Sequence, residues 1–427
     1  MKKVGRIVCV GLLILAMGLT ACSKENVEPE GNSSMQQESV AQENSSGVEE
    51  SSALQGDNDV IDQVSGTTPS GEEGENDPPE GDVSAALGEL EAQQKAEQID
   101  LLLESMTLEE KIGQLFFARY PGTGSAPYYA EVYHLGGYIL FGVDFEGYSE
   151  QGVIDKIEAC QDVATIPMLM GVDEEGGTVV RVSSYFRDEE FKSPRDIYEE
   201  GGFDLIVEQT REKCELLRHF GLNVNLAPVC DIAGDPWDFM YERSFSGDPE
   251  EASKFVGLTV EIMNQYNIGA ALKHFPGYGD NADTHTGIAI DYRDAETFYT
   301  EDFLPFKAGI EAGAGSIMVS HNIVTCFDGE YPASLSPEVH RIIREDLGYD
   351  GVIMTDDLAM GAILDYCGEV NAAVLAIEAG NDLLISTEFA SQYNSVLSAV
   401  ENGRISEARI NESVRRVLTF KQQLGLI

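Results

Sequence analysis

Lys273 and His274 stand side by side where the apolar run Ile268–Leu272 stops, in the stretch IGAALKHFPGYGDNADTHTG. Pro276, Gly277 and Gly279 then force a turn, because proline fixes φ and glycine adopts conformations closed to other residues. Beyond the turn come Asp283 and His285, one residue apart. An imidazole titrates near pH 6.5 and can both give and take a proton close to neutrality, and an adjacent carboxylate can orient it. A histidine in a loop is more often only a surface residue. Its place beside an aspartate, past a strand that ends in two ionisable groups, points instead to the wall of an active site. Three further stretches carry chemistry: GVIMTDDLAM (351–360) with Asp356 and Asp357, GVDEEGGTVVR (171–181) with Asp173 and Arg181, and RSFSGDP (243–249) with Arg243. The bland readings are helix caps for the two aspartates and a surface salt bridge for Arg243.

Such residues need a scaffold that brings distant segments together. Eight apolar runs of strand length occur at 114–120, 136–141, 167–173, 223–231, 268–275, 314–321, 351–357 and 381–387. Amphipathic stretches long enough for helices lie between most of them, at 202–219, 250–266, 297–312, 337–347 and 366–380. Continuously apolar strands alternating with helices imply a parallel sheet covered on both faces. Eight repeats predict a (β/α)8 barrel, with an open doubly wound sheet as the rival. Asp173, Asp231, Lys273 with His274, His321 and Asp356 all fall at the C-terminal ends of these strands, where barrels build their sites. Before the first strand, Thr107-Leu108-Glu109-Glu110 reads as a capping box, and the last forty residues read as two closing helices.

The 427-residue chain carries 27 basic and 75 acidic residues, a net charge of −48. Nucleic acid is therefore excluded as a partner, since phosphate backbones require clustered Lys and Arg. Residues 1–22 read as an export signal: Lys2, Lys3 and Arg6, an apolar run Ile7–Leu19, then Leu19-Thr20-Ala21-Cys22. The ending looks like a bacterial lipoprotein signal with Cys22 lipidated, which would hold the protein outside the cytoplasm on the cell membrane; the alternative is an ordinary secretory signal. Residues 23–95 are rich in Ser, Gly, Gln and Asn, with eighteen acidic residues against two basic, and read as a disordered acidic linker. The barrel domain is expected over 96–427. Its five cysteines, Cys160, Cys214, Cys230, Cys326 and Cys367, lack metal-site spacing and read mostly as buried free thiols.

The four motifs together resemble glycoside hydrolase family 3, in its β-N-acetylglucosaminidase branch. Lys-His-Phe-Pro-Gly followed by Asp283-Thr284-His285, and Asp173, Glu175, Gly176, Gly177, Val179 and Arg181, carry the likeness from about residue 100 onward. The resemblance implies a (β/α)8 barrel with Asp356 as nucleophile, His285 as acid/base and Asp283 orienting it. It also implies that Asp173, Arg181, Arg243, Lys273 and His274 contact the sugar; a carboxylate and a guanidinium on one loop can hold adjacent hydroxyls. The expected protein is a monomeric exo-β-N-acetylhexosaminidase acting on N-acetylglucosamine-containing glycans such as cell-wall fragments, without cofactor or metal. The alternatives are a phosphorylase, because a histidine acid/base does not repel phosphate as a carboxylate would, and a non-catalytic sugar-binding lipoprotein. The sequence departs from the family at Tyr278, often His, at Glu174 and Thr178, often Gln and Arg, and at Ala289-Ile290, often Leu-Pro.

Overall fold

The computed structural model describes residues 80–427 apart from 123, 280, 282, 283, 285, 286 and 368. The export signal with Cys22 and the linker as far as residue 79 lie outside the described residues, as do Asp283 and His285.

All eight apolar runs form strands: β1 (Phe116–Arg119), β2 (Gly137–Leu140), β3 (Leu169–Val172), β4 (Val224–Asn225), β5 (Gly269–Phe275), β6 (Ser316–Val319), β7 (Val352–Thr355) and β8 (Leu384–Ser386). They make one sheet in the order β8-β1-β2-β3-β4-β5-β6-β7, with every pair parallel. A parallel bridge between Met354 and Leu383 joins the two ends of that order, and Thr355 N donates to Leu383 O at 3.1 Å. The sheet therefore curls into a (β/α)8 barrel rather than remaining open. Its strands are buried on both sides and mostly apolar because one face meets the barrel interior and the other the helices, with polar residues chiefly towards their ends.

The expected helices appear with local detail that the pattern does not carry. Gly202, at φ 64°, interrupts the run Pro194–His219, and the stretch 297–312 opens with a π-helical segment, Phe298–Asp302. The capping box is present: Glu110 N donates to Thr107 Oγ1 and Thr107 N donates to Glu110 Oε2. The first helix, Glu80–Ser105, begins inside the stretch expected to be linker. Its Ala-, Leu-, Glu- and Gln-rich composition favours helix, and Ile99 and Leu103 bury it against the barrel helices. Two short strands, Ile290–Asp291 and Ile323–Val324, pair beside the barrel and were not expected.

One end of the barrel is stoppered. The interior is filled by Phe117, Ile139, Leu169, Met318, Val352 and Met354, joined by Val417 and Phe420 of the last helix, Glu407–Gln423, and by Leu424 that caps it. Phe420 fits only because Gly269 and Gly315 carry no side chain; a Cβ there would sit 2.5 and 2.3 Å from its ring. Both glycines lie at strand starts, so the helix plugs the N-terminal mouth and leaves the C-terminal mouth for the site.

Lys421, on the same helix, is fully buried and donates to the neutral Gln114 Oε1 at 2.6 Å. Burial pushes its amine down to about 7. A lysine whose folded pKa is depressed binds fewer protons folded than unfolded, so stability rises with pH. The cost is complete below about pH 7 and fades as pH climbs towards the ordinary lysine value near 10.4. Lys421→Met should raise the melting temperature at pH 7, by on the order of a few kcal/mol of stability, less about 1 kcal/mol for Gln114 left unpaired. The gain should shrink by pH 10. Thermal melts at the two pH values check this, and a variant less stable at both would refute it.

Candidate active site

A cavity of about 430 Å³ opens at the C-terminal ends of the strands, and Asp173, Arg181, Arg243, Lys273, His274 and Asp356 all line it. Six residues read from four separate motifs thus meet in one place. Asp173 follows β3 and Asp356 follows β7, four strands apart in a ring of eight, so the two carboxylates project from opposite sides of the mouth. Apolar side chains, Ile139, Phe141, Leu226, Met318 and Ile385, line it from the barrel interior.

A buried ion network forms the polar wall. Lys273, 1% exposed, leaves β5 and places Nζ 2.6 Å from both Asp173 Oδ1 and Glu175 Oε1. Arg243 closes a fork on Glu175, donating from Nη2 to Oε1 at 2.7 Å and from Nε to Oε2 at 2.9 Å. Arg243 Nη2 also reaches His274 Nε2 at 3.2 Å. On the other side of that ring, His274 Nδ1 lies 2.7 Å from Asp231 Oδ2. Read along the chain of donors, Nε2 accepts from the guanidinium and Nδ1 donates to the carboxylate.

The electrostatics follow from these pairs. Burial alone would raise the Glu175 carboxyl, but Lys273 and Arg243 outweigh it and hold it well below the usual carboxylate range. Burial likewise works against the charge on Lys273, and Asp173 and Glu175 overcome it, raising its pKa. Asp231 is also held low against its burial, by the His274 ring and by the Tyr278 backbone N–H. Glu175, Lys273 and Asp231 therefore stay charged through the neutral range. Pairing is what makes burying them tolerable.

Neighbouring residues fix the wall in place. The Glu174 carboxylate turns away from the cavity and accepts from the backbone N–H groups of Arg181, Val182 and Ser183 at 2.8, 2.7 and 3.3 Å, and from the Ser183 hydroxyl. It staples the loop that presents Arg181, so the departure from glutamine at this position is a structural substitution. Asp231 Oδ1 accepts from Tyr278 N at 2.8 Å, which sets the turn after His274. The Tyr278 hydroxyl meets Thr284 Oγ1 at 2.5 Å, and Ala362 N donates to Thr284 O at 3.3 Å.

At the opposite side, Asp356 N donates to Val319 O at 3.0 Å, and Asp356 Oδ1 accepts from Asp357 N at 2.8 Å. Asp357 works mainly as a structural acceptor, holding Ala359 N at 2.9 Å and the Thr387 hydroxyl at 2.6 Å. Two of the strand-end residues stand behind the cavity rather than in it. His321 is buried between Ser334 Oγ at 2.7 Å and the Asp357 carbonyl at 3.0 Å, and Asp231 acts through His274 and Tyr278. The motifs pointed to Glu175 and Asp231 without assigning them to the site; their importance lies in contacts across strands that residue spacing does not reveal.

The sequence profile described as the glycosyl hydrolase family 3 N terminal domain matches residues 107–420. The chain belongs to glycoside hydrolase family 3. Among curated relatives, the β-hexosaminidase LpqI of Mycobacterium tuberculosis is 28% identical over 323 residues, 73% of this chain and 82% of that one. A β-hexosaminidase of Xylella fastidiosa strain M23 is 31% identical over 280 residues, 64% of this chain and 82% of the relative. Among solved structures, the family 3 β-N-acetylglucosaminidase from Paenibacillus sp. str. FPU-7 superposes with a TM-score of 0.71 at 31% identity, covering 75% of this chain and 63% of that one. The present chain thus spans a little under two thirds of that protein. A β-glucoside phosphorylase, BglX, shares the fold with a TM-score of 0.70 at 20% identity. The wall described above is thus the wall of a family 3 glycoside hydrolase, and it offers donors and acceptors of the kind that sugar hydroxyls require.

Proposed function

We propose that this family 3 enzyme is a retaining, exo-acting β-N-acetylhexosaminidase that removes terminal β-linked N-acetylglucosamine from glycans, peptidoglycan fragments among them. The observation that carries the reading is the convergence of Asp356 with Asp173, Arg181, Arg243, Lys273 and His274 on one cavity closed at its barrel end. Asp173 and Arg181 hold adjacent hydroxyls of the terminal sugar, with Lys273, Arg243 and His274 completing the set. The Asp356 carboxylate attacks the anomeric carbon and forms a glycosyl ester as the bond to the leaving oxygen breaks. His285, oriented by Asp283, gives that oxygen a proton. It then takes a proton from the water that cleaves the ester, so the enzyme returns to its starting state. Thr284, between these two residues in the chain, is tied to Tyr278 of the cavity wall, which supports a role for its neighbours here.

Incubation with aryl β-N-acetylglucosaminide, glucoside and xyloside, with and without phosphate, tests the reading. Preferred release from the N-acetylglucosaminide, with free sugar as product in both buffers, is expected. Sugar 1-phosphate would instead make it a phosphorylase, and no turnover of any aryl glycoside would leave a sugar-binding protein.

The same chain is proposed to work outside the cytoplasm, anchored to the membrane by lipid on Cys22, on the strength of the Leu-Thr-Ala-Cys ending of its export signal. Cys22→Ala should move the protein from the membrane fraction to the soluble one while the activity of the barrel is unchanged. Membrane retention and acylation persisting in that variant would refute the anchor.

A further inference from the structure

The loop between β4 and the helix Pro249–Gln265 carries the only tryptophan of the chain, Trp237, which is 93% exposed. A single exposed ring means little. This one sits on a loop that also reaches the site. Phe239, two residues on and also exposed, has its ring centroid 5.7 Å from that of Tyr278, and the Tyr278 ring lies 5.2 Å from His274. Tyr278 and His274 line the catalytic cavity. The exposed crest of this loop, with Trp237 on it, is therefore connected through Phe239 and Tyr278 to the polar wall of the site.

The crest is held rather than loosely draped. Asp238 N donates to Asp235 O at 2.9 Å, and Trp237 N donates to Asp235 Oδ1 at 3.1 Å. Arg195 donates to Ala233 O at 2.9 Å while its guanidinium stacks 4.3 Å from the Tyr241 ring. The ends of the loop pinch together so closely that a Cβ on Gly247 would lie 2.6 Å from the Gly234 Cα. At the far end of the loop, Arg243 belongs to the buried ion network. The backbone that carries Trp237 is held in this way, and its exposed indole offers a large flat face with only two side-chain torsions to order on binding.

We propose that Trp237 is a stacking platform for the leaving-group side of the substrate: a neutral saccharide chain of β-linked N-acetylated amino sugars beyond the scissile bond. The inference rests on the hydrolase reading above. An equatorially linked pyranose presents a flat face of axial C–H groups, which packs on an aromatic ring by dispersion and by attraction to the negative ring face. The net charge of −48 disfavours a polyanionic occupant.

Two measurements on the full chain test the platform. In the first, Trp237→Ala and Trp237→Phe are compared with the wild type on chitotriose and on an aryl β-N-acetylglucosaminide. Trp237→Ala should lose about tenfold more kcat/KM on the trisaccharide than on the aryl glycoside, chiefly through KM, and Trp237→Phe should recover most of it. In the second, chitotriose is titrated into the Asp356→Asn variant, where the lone indole reports directly. Its emission should shift and saturate in the concentration range of the KM. Equal losses on both substrates together with unchanged emission would overturn the platform while leaving the hydrolase reading intact. A wild-type chain that turns over neither substrate would overturn the hydrolase reading, and unchanged emission would then decide against the platform independently.

Discussion

Asp356→Ala is expected to lower turnover of N-acetylglucosaminides by on the order of a thousandfold or more, the scale seen when one member of a catalytic unit is removed. The fold should survive. The backbone bond from Asp356 N to Val319 O remains in the variant, and the side-chain bond to Asp357 N is worth about 1 kcal/mol. With the carboxylate gone, the face of the sugar opposite the leaving group has room for a small anion. Added azide should therefore restore part of the cleavage and yield the α-linked azido sugar, because a single displacement replaces the two of the normal cycle. Product analysis by NMR distinguishes the anomers. Near-wild-type rates without azide would move the nucleophile elsewhere.

His285→Ala should damage substrates according to how much their leaving groups need a proton. Dinitrophenol departs as a stable anion and needs little help, whereas a sugar departs as a poor alkoxide and needs full protonation. Disaccharide cleavage should fall by roughly 10²–10⁴, the usual range for a general acid, and dinitrophenyl glycoside cleavage far less. The sign of the pH effect follows: the acid must be protonated to act, so wild-type kcat/KM on disaccharide falls as pH rises through its pKa. That alkaline limb should vanish in the variant. Asp283→Asn should give a milder defect of the same kind, because the aspartate only orients the ring and stabilises its cation. Equal losses on both leaving groups would make His285 a binding residue.

Most of the scaffold was legible in the sequence, for a physical reason. Strands buried on both faces cannot alternate polar with apolar residues, so residues 116–118 and 352–354 read as unbroken apolar runs. Ile290–Asp291 and Ile323–Val324 could not be read, since two residues hold no period. The helix from Glu80 was hidden in an acidic segment whose overall composition resembles linker. In the site, residues at strand ends were readable because the barrel architecture itself sends them to one face. Glu175 was not assigned, because its value lies in Arg243, 68 positions away, and in Lys273. Tyr278 appeared only as a departure from the family pattern; the structure shows its backbone on Asp231 and its hydroxyl on Thr284.

The row Asp173–Lys273–Glu175–Arg243–His274–Asp231 also constrains how this protein can change. Each interior member answers to two neighbours, so a lone substitution strands a charge in a dry place, at about 3–5 kcal/mol for a buried pair broken from one side. A drifting lineage would cross that barrier only by paired exchanges, and single-site libraries across these positions should return mostly dead or misfolded clones. Trp237, on the loop after β4, and Ile288 and Tyr292, on the segment that follows Tyr278, stand exposed and carry no buried charge to satisfy. Laboratory evolution of new glycan preferences should therefore accumulate its changes on the rim and leave the row intact, or replace it as a block.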